Sequence, residues 1–171
     1  MRLAWYLLLV VPAVAQQSEF AAGQSSYRAG EFKSAVTHFR LALDTNPKDA
    51  ASSYWVGRSY ETLADIATPF GGKYRSLART YLTKASELAP GRPEYRRELF
   101  DFLLDSGAFS RSEQRQAATI LLAGAETDPE YEYMRSRFEQ ARKRNASFDA
   151  WISRFFLSAP QAAASLLPAG R

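Results

Sequence analysis

The sequence contains no cysteine. That absence removes disulfides, thiolate metal sites and thiol nucleophiles together. It also removes a lipidated N-terminal cysteine as a membrane anchor. A single histidine, His38, excludes a multi-histidine metal site. Charge of one sign is scarce: the formal net charge is +4 over 171 residues, and basic residues alternate with acidic ones along most of the chain. A dedicated nucleic-acid binder concentrates its charge, so no nucleic-acid partner is expected. An anionic surface or partner stays open. Long hydrophobic runs are also missing. The apolar stretch Leu3 to Val11 is shorter than the roughly 20 residues that span a bilayer.

What remains is an ordinary globular mix, 46% apolar and 23% charged, with enough chain for one domain and a packed core. The first residues read as a secretory signal. Arg2 supplies a positive start, Leu3 to Val11 an apolar stretch, and Ala13-Val14-Ala15 an A-x-A cleavage site. Cleavage after Ala15 is expected, placing a mature protein that begins at Gln16 outside the cytoplasm: periplasmic in a bacterium, otherwise secreted.

One spacing then recurs. Ala35, Phe39, Ala42 and Pro47 return at the same offsets as Ala78, Leu82, Ala85 and Pro90, and again as Ala117, Leu121, Gly124 and Pro129. Small, large apolar, small, then a helix-stopping proline is the trace of a helical repeat array. Ahead of the first set, Phe20 to Tyr27 starts a helix, Gly30-Glu31-Phe32 makes a tight turn, and Ser34 to Asp44 forms the second helix. Gly57 lies 34 residues after Gly23, but Ala78 lies 43 after Ala35. The second unit therefore carries extra residues between its helices, expected as a long turn over Ala64 to Tyr74. In the third unit Gly107 and Phe109 repeat the turn of Gly30 and Phe32, with a further extension expected near Ser110 to Gln114. Phe100 stands where the first helix of that unit would carry a small residue, which must change the packing there. Tyr131, Met134, Phe138 and Ala141 form one later stripe, and Phe148, Trp151, Ile152, Phe155 and Phe156 another. This last hairpin suits the closing cap that an array needs. Pro160 and Pro168 bracket an alanine-rich tail.

Gly23, Tyr27, Gly30, Phe32, Ala35, Phe39, Ala42 and Pro47 together resemble the tetratricopeptide repeat family, whose unit is a helix-turn-helix of about 34 residues. The resemblance implies an all-α fold: helical hairpins forming a short right-handed superhelix with a C-terminal capping hairpin. Its parts would be a signal peptide (1–15), three repeats (16–49, 50–92 and a degenerate 93–129), capping helices (130–159) and a tail (160–171). In that family the first helices of successive units line a concave groove. Carried over by position, this selects Phe20, Gln24 and Tyr27, then Tyr54, Arg58 and Glu61, then Arg97, Asp101 and Leu104. Some relatives hold a peptide's terminal carboxylate with lysines and asparagines at these places. Phe20 and Gln24 replace them here, so that specificity is not implied. Alanine at Tyr27, Tyr54 and Arg58 together is expected to abolish partner capture without unfolding the chain.

Other features invite chemistry. His38 as a base needs a nucleophile and an orienting carboxylate, and nothing nearby in sequence supplies the set. Glu94, Glu98, Asp101 and Asp105 fall at helical spacing. They suit acid–base work or a divalent cation, or a solvated face of local ion pairs. Gly71-Gly72-Lys73 fails the phosphate-loop pattern at both ends, with Ala67 for the first glycine and Tyr74 for the final hydroxyl residue. Asn145-Ala146-Ser147 matches a glycosylation acceptor. The expectation is an exported, non-enzymatic adaptor or assembly factor that binds another protein or peptide and needs no cofactor. Two rivals stand beside it: a membrane-associated or oligomeric envelope component working through the Trp151 to Phe156 helix, and a hydrolase using the acidic cluster.

Overall fold

Helices of this chain meet where the recurring small–large–small spacing falls. The computed structural model describes residues 4–105, 110–123 and 130–157. Every regular element among them is helical. In order these are α1 (Ala4–Arg28), α2 (Phe32–Thr45), α3 (Ala50–Ile66), α4 (Gly72–Leu88), α5 (Pro93–Asp105), α6 (Arg111–Ala123), α7 (Tyr131–Arg144) and α8 (Ala146–Leu157). Neighbouring helices pack in pairs, α1 with α2, α3 with α4 and α7 with α8, and α2 also packs on α3. This is an all-α architecture of helical-repeat type. By contact density the chain divides into two compact units, residues 1–96 and 97–171.

In the first unit the large residue of each spacing fits against a glycine. Phe39 and Leu82 are fully buried, and so are Ala35, Ala42, Ala78 and Ala85. A Cβ added at Gly23 would stand 2.7 Å from the Phe39 ring, and one at Gly57 would stand 2.8 Å from Leu82. The missing side chain on the first helix is thus the space that the large side chain on the second one fills. The turn between α1 and α2 runs through Gly30 at φ +78°, a conformation that L-residues with a side chain rarely adopt. Asp49 starts α3 as its N-cap, accepting from the backbone N–H groups of Ala51 (3.2 Å) and Ser52 (3.1 Å).

The link between α3 and α4 is shorter than the sequence suggests. Helix α3 continues through Ala64 to Ile66 and α4 begins at Gly72, so the extra residues mostly lengthen the helices. Proline and glycine break a helix only where they stand. Ala64, Asp65 and Ile66, ahead of Pro69, remain helical. Gly71 lies so close to α3 that a Cβ there would be 2.2 Å from the carbonyl oxygen of Ala64.

In the second unit, Ala117 and Leu121 are fully buried, while Gly107, Phe109, Gly124, Pro129 and the 160–171 tail lie outside the described residues. The extension expected over Ser110 to Gln114 is instead the start of α6. Ser110 and Glu113 form a capping box: Ser110 N–H donates to Glu113 Oε2 (3.2 Å), and Glu113 N–H to Ser110 Oγ (3.3 Å). Phe100 is fully buried and stacks on Phe138 with ring centroids 6.4 Å apart. The large ring in place of a small residue thus ties α5 to α7. The α7 stripe of Tyr131, Met134, Phe138 and Ala141 is buried throughout. Helix α8 closes on it through Phe148, edge-on to Phe138 at 5.2 Å, and through fully buried Ile152.

Candidate functional site

Helices α1 and α3 of the first unit carry six of the residues that the family resemblance selects. Phe20, Gln24, Tyr27, Tyr54, Arg58 and Glu61 are all half-buried, neither sealed in the core nor free in solvent. Their support is aromatic. Phe20 meets Phe39 edge-on at 5.5 Å. Tyr27 lies edge-on to Phe32 (5.2 Å) and to Trp55 (5.0 Å), and its hydroxyl is 3.5 Å from Thr62 Oγ1. Tyr54 stacks on Tyr95 at 4.9 Å and touches Trp55 edge-on at 5.6 Å. Trp55 itself stacks on Phe39 at 5.8 Å. It is the hub of this lining, and the repeat spacing does not single it out. Its neighbour Tyr54 and the local density of aromatic residues are the only signal in the sequence.

Polar groups overlie this base. Arg58 Nη1 pairs with Glu61 Oε2 at 2.7 Å, one turn along α3. The Arg28 guanidinium donates to the Gln24 carbonyl oxygen at 3.2 Å. The arrangement presents flat rings with a donor and an acceptor beside them, which suits side chains and backbone amides of an extended polypeptide. The rings of Tyr27 and Tyr54 also hold α1, α3 and the start of α5 together. Their removal takes away these ring contacts, so the triple alanine exchange is expected to lower stability as well as capture.

The remaining three residues lie on α5 in the second unit, where the setting differs. Leu104 is buried and is no lining residue. Asp101 is mostly covered by α7. It accepts from the Tyr133 hydroxyl (2.6 Å) and from Arg137 Nε (3.0 Å), while Arg137 Nη2 reaches Asp105 at 2.6 Å. Arg97 lies 3.7 Å above the Tyr133 ring centroid and pairs with Glu130 at 3.2 Å. The hydrogen bond with Asp101, assisted by Asp105, holds Arg137 above the ordinary guanidinium range against the opposing effect of burial. Burial and the bond to Asp101 push the Tyr133 phenol up. This network fastens α5 to α7. It accounts for two of the four acids in the Glu94–Asp105 row, and Glu94 pairs with Arg92. Asp105 takes its partner from another helix, while Asp101 combines Tyr133 and Arg137 of α7 with Arg97 one turn back on its own helix at 4.0 Å.

Among the described residues, no group of three histidine or carboxylate side chains is placed to hold a metal ion. His38 Nδ1 lies 2.8 Å from Glu19 Oε2 and ties α2 to α1. Asn145 accepts from the backbone N–H of Phe148 at 3.0 Å and so helps to start α8. Gly71-Gly72-Lys73 makes the tight approach to α3 and the first turn of α4. Phe148 and Ile152 of the C-terminal stripe are fully buried, and half-buried Trp151 stacks on Phe148 at 6.4 Å. No protein-family model and no curated protein sequence matches the chain.

Proposed function

We propose that this chain is an exported, non-enzymatic adaptor or assembly factor of tetratricopeptide type. It binds an extended segment of another protein along the α1–α3 face. The observation that carries this reading is the half-exposed line Phe20, Gln24, Tyr27, Tyr54, Arg58 and Glu61, seated on a continuous aromatic base. Tyrosine and arginine are the residue types that most often carry interface energy. A base of packed rings loses little side-chain freedom on binding, which favours association. In the second unit, considered by itself, Arg97 pairs with Glu130 and covers the Tyr133 ring. Asp101 serves the helix contact.

Co-purification of the tagged chain from its native host tests the reading. Gln24→Ala, Arg58→Ala and Glu61→Ala combined remove polar lining and keep every aromatic ring of the face. Capture of the partner is expected to fall at least tenfold, with helical content unchanged. Full capture by this folded variant sinks the assignment of the α1–α3 face.

A further inference from the structure

The rings of the first unit form an unbroken row. Trp55 lies between Tyr27 and Tyr54, edge-on to both at 5.0 and 5.6 Å. Tyr54 continues the row onto Tyr95 at 4.9 Å. Tyr27, Trp55 and Tyr54 are half-buried, so part of each ring still meets solvent. Ring-on-ring support holds them in place before anything binds, which lowers the cost of ordering them.

The charges beside the row cancel. Arg58 pairs with Glu61 on α3. Arg92, whose guanidinium carbon is 5.4 Å from the Tyr95 ring centroid, pairs with Glu94. At the α1–α2 turn, exposed Arg28 is offset by exposed Glu31. The face therefore selects neither an acidic nor a basic segment. Its hydrogen-bonding groups are weighted toward donors. The Arg58 guanidinium has N–H groups only, and Gln24 adds an amide N–H2. Glu61, the one carboxylate of the line, already accepts from Arg58 at 2.7 Å. An ordinary extended segment brings a backbone N–H for every carbonyl and needs an acceptor for each. Proline brings the carbonyl without the N–H.

We propose that the α1–α3 face takes an uncharged, proline-rich segment in the polyproline II conformation. The inference rests on the adaptor reading above and names the class of polypeptide bound. Pyrrolidine rings lie on Tyr27, Trp55 and Tyr54. The carbonyl groups of the segment, which have no partner within a polyproline II helix, accept from Gln24 and Arg58. Aromatic-lined surfaces are where such segments dock, and their preformed backbone has little freedom left to lose.

The full chain is titrated by calorimetry with three capped octapeptides: octaproline, an alternating glycine–serine peptide and octaglutamate. Octaproline is expected to bind about tenfold more tightly than either of the others. Tyr54→Leu keeps an apolar side chain but removes a ring, and is expected to weaken octaproline about fivefold. Gln24→Ala removes a donor, keeps every ring, and is expected to weaken it about threefold. Circular dichroism checks both variants, and Gln24→Ala decides where Tyr54→Leu loses helical content. Octaproline that binds no better than the glycine–serine peptide overturns the proposal, and so does binding that the folded variants leave unchanged. Partner capture that still depends on Gln24, Arg58 and Glu61 in that case keeps the adaptor reading and rejects only the proline-rich class. Tighter binding of octaglutamate also overturns the proposal and assigns the face to an acidic segment.

Discussion

Two glycines owe their identity to the side chains opposite them. Gly23 faces the fully buried Phe39 ring, and Gly57 faces Leu82. Replacing either by alanine adds helix propensity worth about 1 kcal/mol. Against this stands overpacking of about 1–3 kcal/mol when a buried neighbour cannot move aside. At Gly23 three ring atoms lie within 2.9 Å of the added methyl, so the clash wins. Gly23→Ala and Gly57→Ala are each expected to lose about 1–2 kcal/mol by urea denaturation. Gly72→Ala, which meets open space, should be neutral or gain about 0.5 kcal/mol. Equal behaviour of the three would refute the matching of glycine to large side chain. This part of the fold was legible, because burial of one helix face imposes a periodic signature that survives in the sequence. The role of Trp55 was not. A hub between α1, α2 and α3 depends on which helices come side by side, and no period within one helix encodes that.

At the scale of elements, α5 and α7 are joined by partners that stand far apart in sequence. Tyr133 and Arg137 reach Asp101 across 32 and 36 residues. Read along α5 alone, Asp101 and Asp105 look like a solvated face or a catalytic pair. Only the packing of α7 against them decides. Asp101→Asn keeps the shape but removes the charge that Arg137 and Tyr133 share. It is expected to cost about 1–3 kcal/mol, read as a lower thermal midpoint. The Tyr133 phenol has a folded pKa above its usual 10.0. Folding thus favours the neutral ring. Its contribution is full below pH 10, and it is lost as pH rises through the folded value. Tyr133→Phe should therefore differ most from the parent near neutral pH, with the gap narrowing in alkaline solution. A gap that widens with pH has the wrong sign and would exclude this account. The α3–α4 link shows the complementary limit of sequence reading. Pro69 and Gly71 marked a break correctly, but how far each helix runs toward it is set by the residues between, which stay helical.

For the whole molecule, the proposed export signal and the α1–α2 hairpin share one helix, α1. The helix runs from Ala4 to Arg28 through the Ala13-Val14-Ala15 site without a break. Its described contacts with α2 include Glu19 with His38, Phe20 and Gly23 with Phe39, and Ser26 with Ser34 at 3.1 Å. Cleavage after Ala15 leaves each of these in place, so processing and a stable α1–α2 hairpin are compatible. The chain expressed in a secreting host is therefore expected to accumulate outside the cytoplasm with Gln16 as its first residue, as mass spectrometry would show. Ala15→Phe fills the small-residue position that the peptidase requires and should leave the leader attached. Because the α1–α2 contacts named above all lie after Ala15, protein beginning at Gln16 is expected to melt within a few degrees of the unprocessed chain. Recovery of the parent chain from the cytoplasm with Met1 intact would defeat the proposal of export. A large fall in melting temperature on removal of residues 1–15 would show that α1 before Gln16 belongs to the folded core.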